Sequence, residues 1–377
     1  MGVSMFKIRS ISDMENELLA SSNTSDIVGA RLVGIDERRS LQNVGQLLTK
    51  DEVKRDVSTY ARVLINVYCG WPFHKDIVKR KVLKKLLDIY HNDQDMTALD
   101  LFDKMKDVVA VIPDNHIWLG FNDIQARCSF NRNYRNVGKN LAKPNTLVTE
   151  LRPDNTAVIA FRKMYPDKWV GEQLLAFKDS LDKSSALIVD LRGNGGGSSQ
   201  YSDELAKYLY GDNVRSTKRT FVRNNPDAAR FLPMVRPDGC WWDNIKGDSD
   251  PLGCNEKPTT KFNADKGYVK PIYILTDGHT GSSSEMFLLR MIHHPYVRVV
   301  GDNSAGMERF GNMGTGFLPV SNIIFSVGLN YRELEFDNFE LHGYKPNILC
   351  KDGQDAFDVA IADLVHQMTL GKGSIEK

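Results

Sequence analysis

A chain of 377 residues with 41% hydrophobic and 26% charged side chains has the composition of a globular protein large enough for about two domains. Its 49 Lys and Arg nearly balance 48 Asp and Glu, a formal net charge of +1, which leaves no basic field to hold nucleic acid or an anionic membrane surface. The 5 cysteines (Cys69, Cys128, Cys240, Cys254, Cys350) are scattered with no C-x-x-C pair, which argues against structural zinc. Cys240 and Cys254 flank one loop and could pair in an oxidising compartment, but free thiols are expected.

No stretch of Met1 to Glu15 has the apolar core of a signal peptide, and no run reaches membrane-span length. The chain as given reads as cytoplasmic, or as periplasmic or secreted if a leader has been removed. Residues 1 to 47 show no clear period and read as a leading strand and loop, or an arm. Thr49-Lys-Asp-Glu52 is a capping box, followed by apolar residues at helical spacing from Val53 to Ile65. Two further helices are predicted, roughly Lys75 to Tyr90 and Thr97 to Val111, so residues 1–112 read as an arm and a helical domain. The basic runs at Lys79-Arg80-Lys81 and Lys84-Lys85 sit among apolar residues and read as a solvated helix face.

Beyond Pro113 strands and helices alternate, which predicts an α/β core over 113–377. Strands are expected at Thr156–Arg162, Ala186–Leu191, Pro271–Thr276, Val297–Val300 and Ile323–Val327. Helices are expected at Gly171–Leu181, Ser202–Leu209, Ser283–His293 and Ala356–Met368. Between them, at about 215–270, lies a stretch rich in Pro, Gly, Asn and Asp, read as a long loop insertion. Its Trp241-Trp242 pair suggests an ordered flap that contacts substrate.

Four short stretches carry chemistry. Asp190-Leu-Arg-Gly-Asn-Gly-Gly-Gly197 follows a buried strand, where glycines let backbone approach a ligand. It lacks the sixth-position glycine of a dinucleotide fingerprint and the lysine of a P-loop. Alone, it reads equally well as a tight turn. Thr280-Gly-Ser-Ser-Ser-Glu285 also follows a buried strand, and Ser282-x-x-Glu285 has the bland reading of a capping box. No G-x-S-x-G elbow and no H-E-x-x-H occurs, which removes the α/β-hydrolase and common metalloprotease readings. The other two stretches are Asp114-Asn-His116 and Glu340-Leu-His-Gly-Tyr-Lys-Pro-Asn-Ile348.

In this order and together, the stretches resemble the C-terminal processing (tail-specific) peptidases and their tricorn-type relatives over about Asp114 to Leu364. The resemblance implies a crotonase/ClpP-like α/β fold with an N-terminal helical domain, and a serine peptidase whose nucleophile is Ser282. The processing peptidases use a lysine base within a Gly-Lys-Gly stretch, but here Met307 follows Gly306 at that place. The tricorn-type branch uses histidine and glutamate, and His116 and Glu340 match those places. Asn115 stands where that branch has a second serine, which leaves the orientation of His116 open. About forty residues separate His116 from the strand at Thr156, too few for an inserted PDZ domain.

The resemblance further implies that His116 takes the Ser282 proton, with Glu340 orienting and stabilising the imidazolium. The oxyanion donors would be Gly195 or Gly196 and the Ser283 N–H. Activity should then rise with pH through a histidine-like value near 6.5, shifted upward by Glu340. No metal or organic cofactor is implied. The expected partner is a peptide or protein substrate, with a homo-oligomer compatible. Two alternatives stay open: a catalytically inactive binding module of the same fold, carrying a hydrophobic ligand or peptide, and a crotonase-like acyl-CoA enzyme.

Overall fold

The computed structural model describes residues 9–29, 35–128, 135–138, 146–164, 167–215, 217–235, 247–255 and 261–370. These form two compact units, each assembled from three chain segments. The first takes Met1–Phe130, Thr220–Cys254 and Phe310–Arg332; the second takes Asn131–Arg219, Asn255–Arg309 and Glu333–Lys377. The boundary expected at residue 112 therefore falls inside the first unit.

In the first unit, the helices Lys50–Arg62, Asp76–Tyr90 and Ala98–Val109 stand where the apolar spacing puts them. Thr49 caps the first through the Glu52 N–H, and the Glu52 carboxylate accepts the Thr49 N–H at 2.8 Å. A fourth helix, Ile11–Leu19, capped by Ser10, lies in the N-terminal stretch read as strand and loop. Met14 and Leu18 carry it into the same core as Val57, Leu64, Leu86 and Phe102. Against these helices lies a sheet in the order Val28–Gly29, Phe310–Phe317, Ile324–Glu333, Trp118–Phe121, Ile124–Arg127.

The stretch around 215–270 is not one loop. It holds the strand Arg219–Val222, the helix Pro226–Val235 and the strand Leu252–Asn255, and Phe231 of that helix is fully buried. Trp241, Trp242 and Cys240 lie outside the described residues.

The second unit is built on a sheet in the order Ile348–Leu349, Val297–Gly301, Ile272–Thr276, Ala186–Asp190, Thr156–Phe161, Leu147–Leu151. All neighbours run parallel except the last pair. Strands Ala186–Asp190 and Ile272–Thr276 are buried throughout, as expected where helices cover both faces of a parallel sheet. Tyr210, Phe287 and Leu288 cover one face, and Ala356, Ala360 and Leu364 of the closing helix Ala356–Thr369 cover the other. Among the described residues no helix is long and apolar enough to cross a membrane.

Candidate active site

Three adjacent parallel strands end side by side at Asp190, Thr276 and Gly301. Sites in such sheets form outside the carboxyl ends of the strands. Here the turns that leave these three ends are laced into one structure.

The first turn is anchored by Arg192, whose side chain is 2% exposed. It folds back on Asp190 through Nε at 2.9 Å and an amino nitrogen at 2.8 Å, and reaches Asp355 at 2.8 Å. Asn194, fully buried, donates its amide to the Phe161 carbonyl at 3.0 Å and accepts the Gly196 N–H at 3.0 Å. Its own carbonyl accepts the Gly281 N–H at 3.0 Å, which joins the first turn to the second. Asp277 strengthens that joint, because its carboxylate accepts the N–H groups of Gly193, His279 and Thr280, each at 3.0 Å.

The second turn delivers Ser282 at φ 53° and ψ −123°, ahead of the helix Ser283–Met291. Serine in that region is strained, a condition that persists only where the surroundings impose it. Gly196 supplies part of the constraint. A Cβ there would sit 2.7 Å from Ser282 Cβ and 2.9 Å from the Ser283 nitrogen, so only glycine lets the two turns approach this closely. Nothing lies within 4 Å of a Cβ placed on Gly195. Among the described residues, the N–H groups of Gly195 and Ser283 have no acceptor, whereas that of Gly196 is held by Asn194.

The third turn is tied in by Glu285. Its fully buried carboxylate accepts the N–H of Ser282 at 3.2 Å, of Gly306 at 2.6 Å and of Met307 at 2.8 Å, plus the Ser304 hydroxyl at 2.6 Å. Burial raises its pKa to about 7, against the pull of those donors. Met307 turns its side chain toward the serine turn; a Cβ on Gly281 would lie 2.6 Å from the Met307 sulfur. The place beside the serine turn is therefore filled by a thioether, which accepts no proton at neutral pH.

Glu340 sits on the segment docked against this third turn. The Leu341 N–H donates to the Gly306 carbonyl at 2.8 Å, and the Arg309 N–H donates to Glu340 Oε2 at 3.3 Å. The second unit thus brings Ser282, Ser283, Gly195, Gly196 and Glu340 together. His116 belongs to the first unit, where it leads into the strand Trp118–Phe121. It is buried, and burial, then Arg332 and Arg127, push its pKa down to about 3. The neighbouring Asn115 is engaged elsewhere, accepting from Cys128 Sγ at 3.2 Å and, through its carbonyl, from Arg127 at 3.0 Å. Trp241 and Trp242, expected to contact substrate, lie outside the described residues. The capping-box spacing anticipates the Glu285 contact with the Ser282 N–H, but nothing in the sequence names the backbone groups that Asn194 and Asp277 meet or the Gly306 and Met307 N–H groups on Glu285.

Glycine-walled turns at the ends of parallel strands flank a strained serine, an arrangement suited to nucleophilic chemistry. The profile of peptidase family S41 matches residues 155–348, half of the chain, and the chain belongs to that family of serine-type peptidases. No curated protein matches it. A candidate peptidase from Parabacteroides merdae is similar at 19% identity and a TM-score of 0.59, over 81% of this chain and 94% of its own. The photosystem II D1 C-terminal processing protease is 14% identical, over 55% of this chain and 48% of its own, with a TM-score of 0.35. Mature CPAF complexed with lactacystin is 15% identical, over 60% and 53%, at a TM-score of 0.38. The chain thus spans nearly all of the first and about half of the other two.

Proposed function

We propose that the chain hydrolyses peptide bonds through an acyl-enzyme on Ser282, with His116 as the general base. The observation that carries this reading is the strained Ser282 beside two N–H groups, of Gly195 and Ser283, that have no acceptor among the described residues. Oγ attacks the peptide carbonyl carbon while His116 takes its proton. The carbonyl electron pair moves to oxygen, where Gly195 and Ser283 N–H donate to the oxyanion; such a donor typically contributes about 100- to 1,000-fold in rate. The C–N bond then breaks, the proton passes from His116 to the leaving amine, and water repeats the sequence on the ester.

Of the two glycines considered, Gly195 fits the donor role, since the Gly196 N–H is spent on Asn194. Glu340 is the second carboxylate implied by the family resemblance, and would stabilise the imidazolium. A histidine base is favoured by Met307, since no amine stands at that place. Digestion of a peptide library, read by mass spectrometry, tests the proposal. The wild type should cleave, and Ser282→Ala and His116→Ala should not; cleavage by either variant at the wild-type rate contradicts it.

A further inference from the structure

The loop that carries His116 contains a second buried carboxylate. Asp114 is fully buried, and its Oδ1 accepts the His116 backbone N–H at 2.7 Å. The same oxygen lies 4.0 Å from His116 Nδ1. The carboxylate is also hydrogen-bonded by the Ile117 N–H and by the Tyr68 hydroxyl. Tyr68, itself buried, meets His74 Nε2 through that hydroxyl at 2.9 Å. A hydroxyl owns one proton, so donating it to Asp114 leaves a lone pair for the His74 Nε2–H.

The room for this chain of groups is made by Gly70. A Cβ there would lie 2.2 Å from the Tyr68 hydroxyl oxygen and 2.7 Å from the Phe310 ring. Tyr68, His74 and Phe310 pack with ring centroids 5.6 to 5.7 Å apart, which fixes the phenol.

We propose that Asp114, held by Tyr68 and His74, is the positioning residue of His116 and sets its tautomer. The inference rests on the reading of His116 as the base. At 4.0 Å the carboxylate oxygen is beyond hydrogen-bond distance of Nδ1, but its charge favours the proton on that nitrogen and leaves Nε2 as the acceptor. Among the described residues, Arg332 and Arg127 act on His116 and disfavour its protonation; Tyr60 acts on Asp114 as a neutral phenol. A carboxylate serving only to cap the turn would be satisfied by the His116 N–H. The phenol and imidazole behind it add nothing to a cap but do hold the carboxylate beside the ring.

The test is the ring-nitrogen spectrum of the full chain labelled with ¹⁵N-histidine, with His116→Gln assigning the signal. The wild type should show His116 protonated on Nδ1. Asp114→Asn would keep its oxygen on the His116 N–H and so facing the ring, whereas Asp114→Ala removes the acceptor opposite Nδ1 and should move the proton to Nε2. In the same variant fluorophosphonate labelling of Ser282 should slow by about 100-fold or more, the range of a lost general base. Should Asp114→Ala fail to fold, Gly70→Ala, which displaces the Tyr68 hydroxyl, should give a mixed tautomer. A wild-type ring protonated on Nε2, or a tautomer unmoved by Asp114→Ala or, where that variant does not fold, by Gly70→Ala, overturns the proposal. Undiminished labelling in His116→Gln would instead contradict His116 as base, while leaving the tautomer result to stand on its own.

Discussion

Ser282 is held at φ 53° and ψ −123°, a conformation that glycine adopts freely and serine at a cost of about 1–3 kcal/mol. The strain has a thermodynamic signature. Ser282→Gly should gain about 1 kcal/mol in stability after the extra backbone entropy of glycine is subtracted. Ser282→Ala keeps the strain and should unfold with the wild type. Both should lose activity, by up to ~10⁶-fold as when a serine nucleophile is removed; denaturant unfolding and peptide turnover check the pair. His116 gives a pH prediction of opposite sign to that expected from the sequence. Burial pushes it down from 6.5, so the neutral, proton-accepting form persists into acid. The acid limb of kcat/KM should lie below pH 6.5, where the sequence alone suggested 6.5 or above; a profile of labelling rate from pH 4.5 to 9 locates it.

At the scale of elements, the three turns beyond the parallel strands act as one piece because Glu285 binds the second to the third. Its folded pKa, about 7, stands above the ordinary 4.5, so the folded state holds the proton more tightly than the unfolded chain. The stabilisation from the protonated group is full below about pH 4.5 and is lost as pH rises through about 7, a change of roughly 3 kcal/mol. Glu285→Gln cannot ionise. Its cost relative to wild type should therefore shrink between pH 4.5 and 8, as read from denaturation midpoints at both ends.

Helices and buried strands with strong periods were legible in the sequence to within a few residues: Lys50–Arg62, Ala186–Asp190 and Ile272–Thr276 fall where apolar spacing put them. The strand Phe310–Phe317 was not, because Gly311, Gly314 and Gly316 mask it. Those glycines clear space for partners distant in sequence. A Cβ on Gly316 would lie 2.4 Å from the Phe325 ring, and one on Gly314 would lie 2.7 Å from Phe231. The helix Pro226–Val235 was hidden in the same way, behind the turn residues that flank it.

On the scale of the whole molecule, each unit is stitched from three separated segments, so neither could be read as a continuous domain. The candidate site was legible further than its scaffold. The motifs place Ser282, Ser283, Gly195, Gly196 and Glu340, and the second unit gathers all five. Asp114, Tyr68 and His74, which back His116 in the first unit, carry no spacing signal, since their meeting depends on packing around Phe310.

The central claim, that Ser282 is an activated nucleophile, is tested most directly by treating the folded full-length chain with a fluorophosphonate and mapping the adduct by mass spectrometry. One adduct per chain is expected, on Ser282, absent from Ser282→Ala and from heat-unfolded protein. No adduct on the folded chain, or an adduct on Ser283 or Ser284 that survives Ser282→Ala, would contradict it.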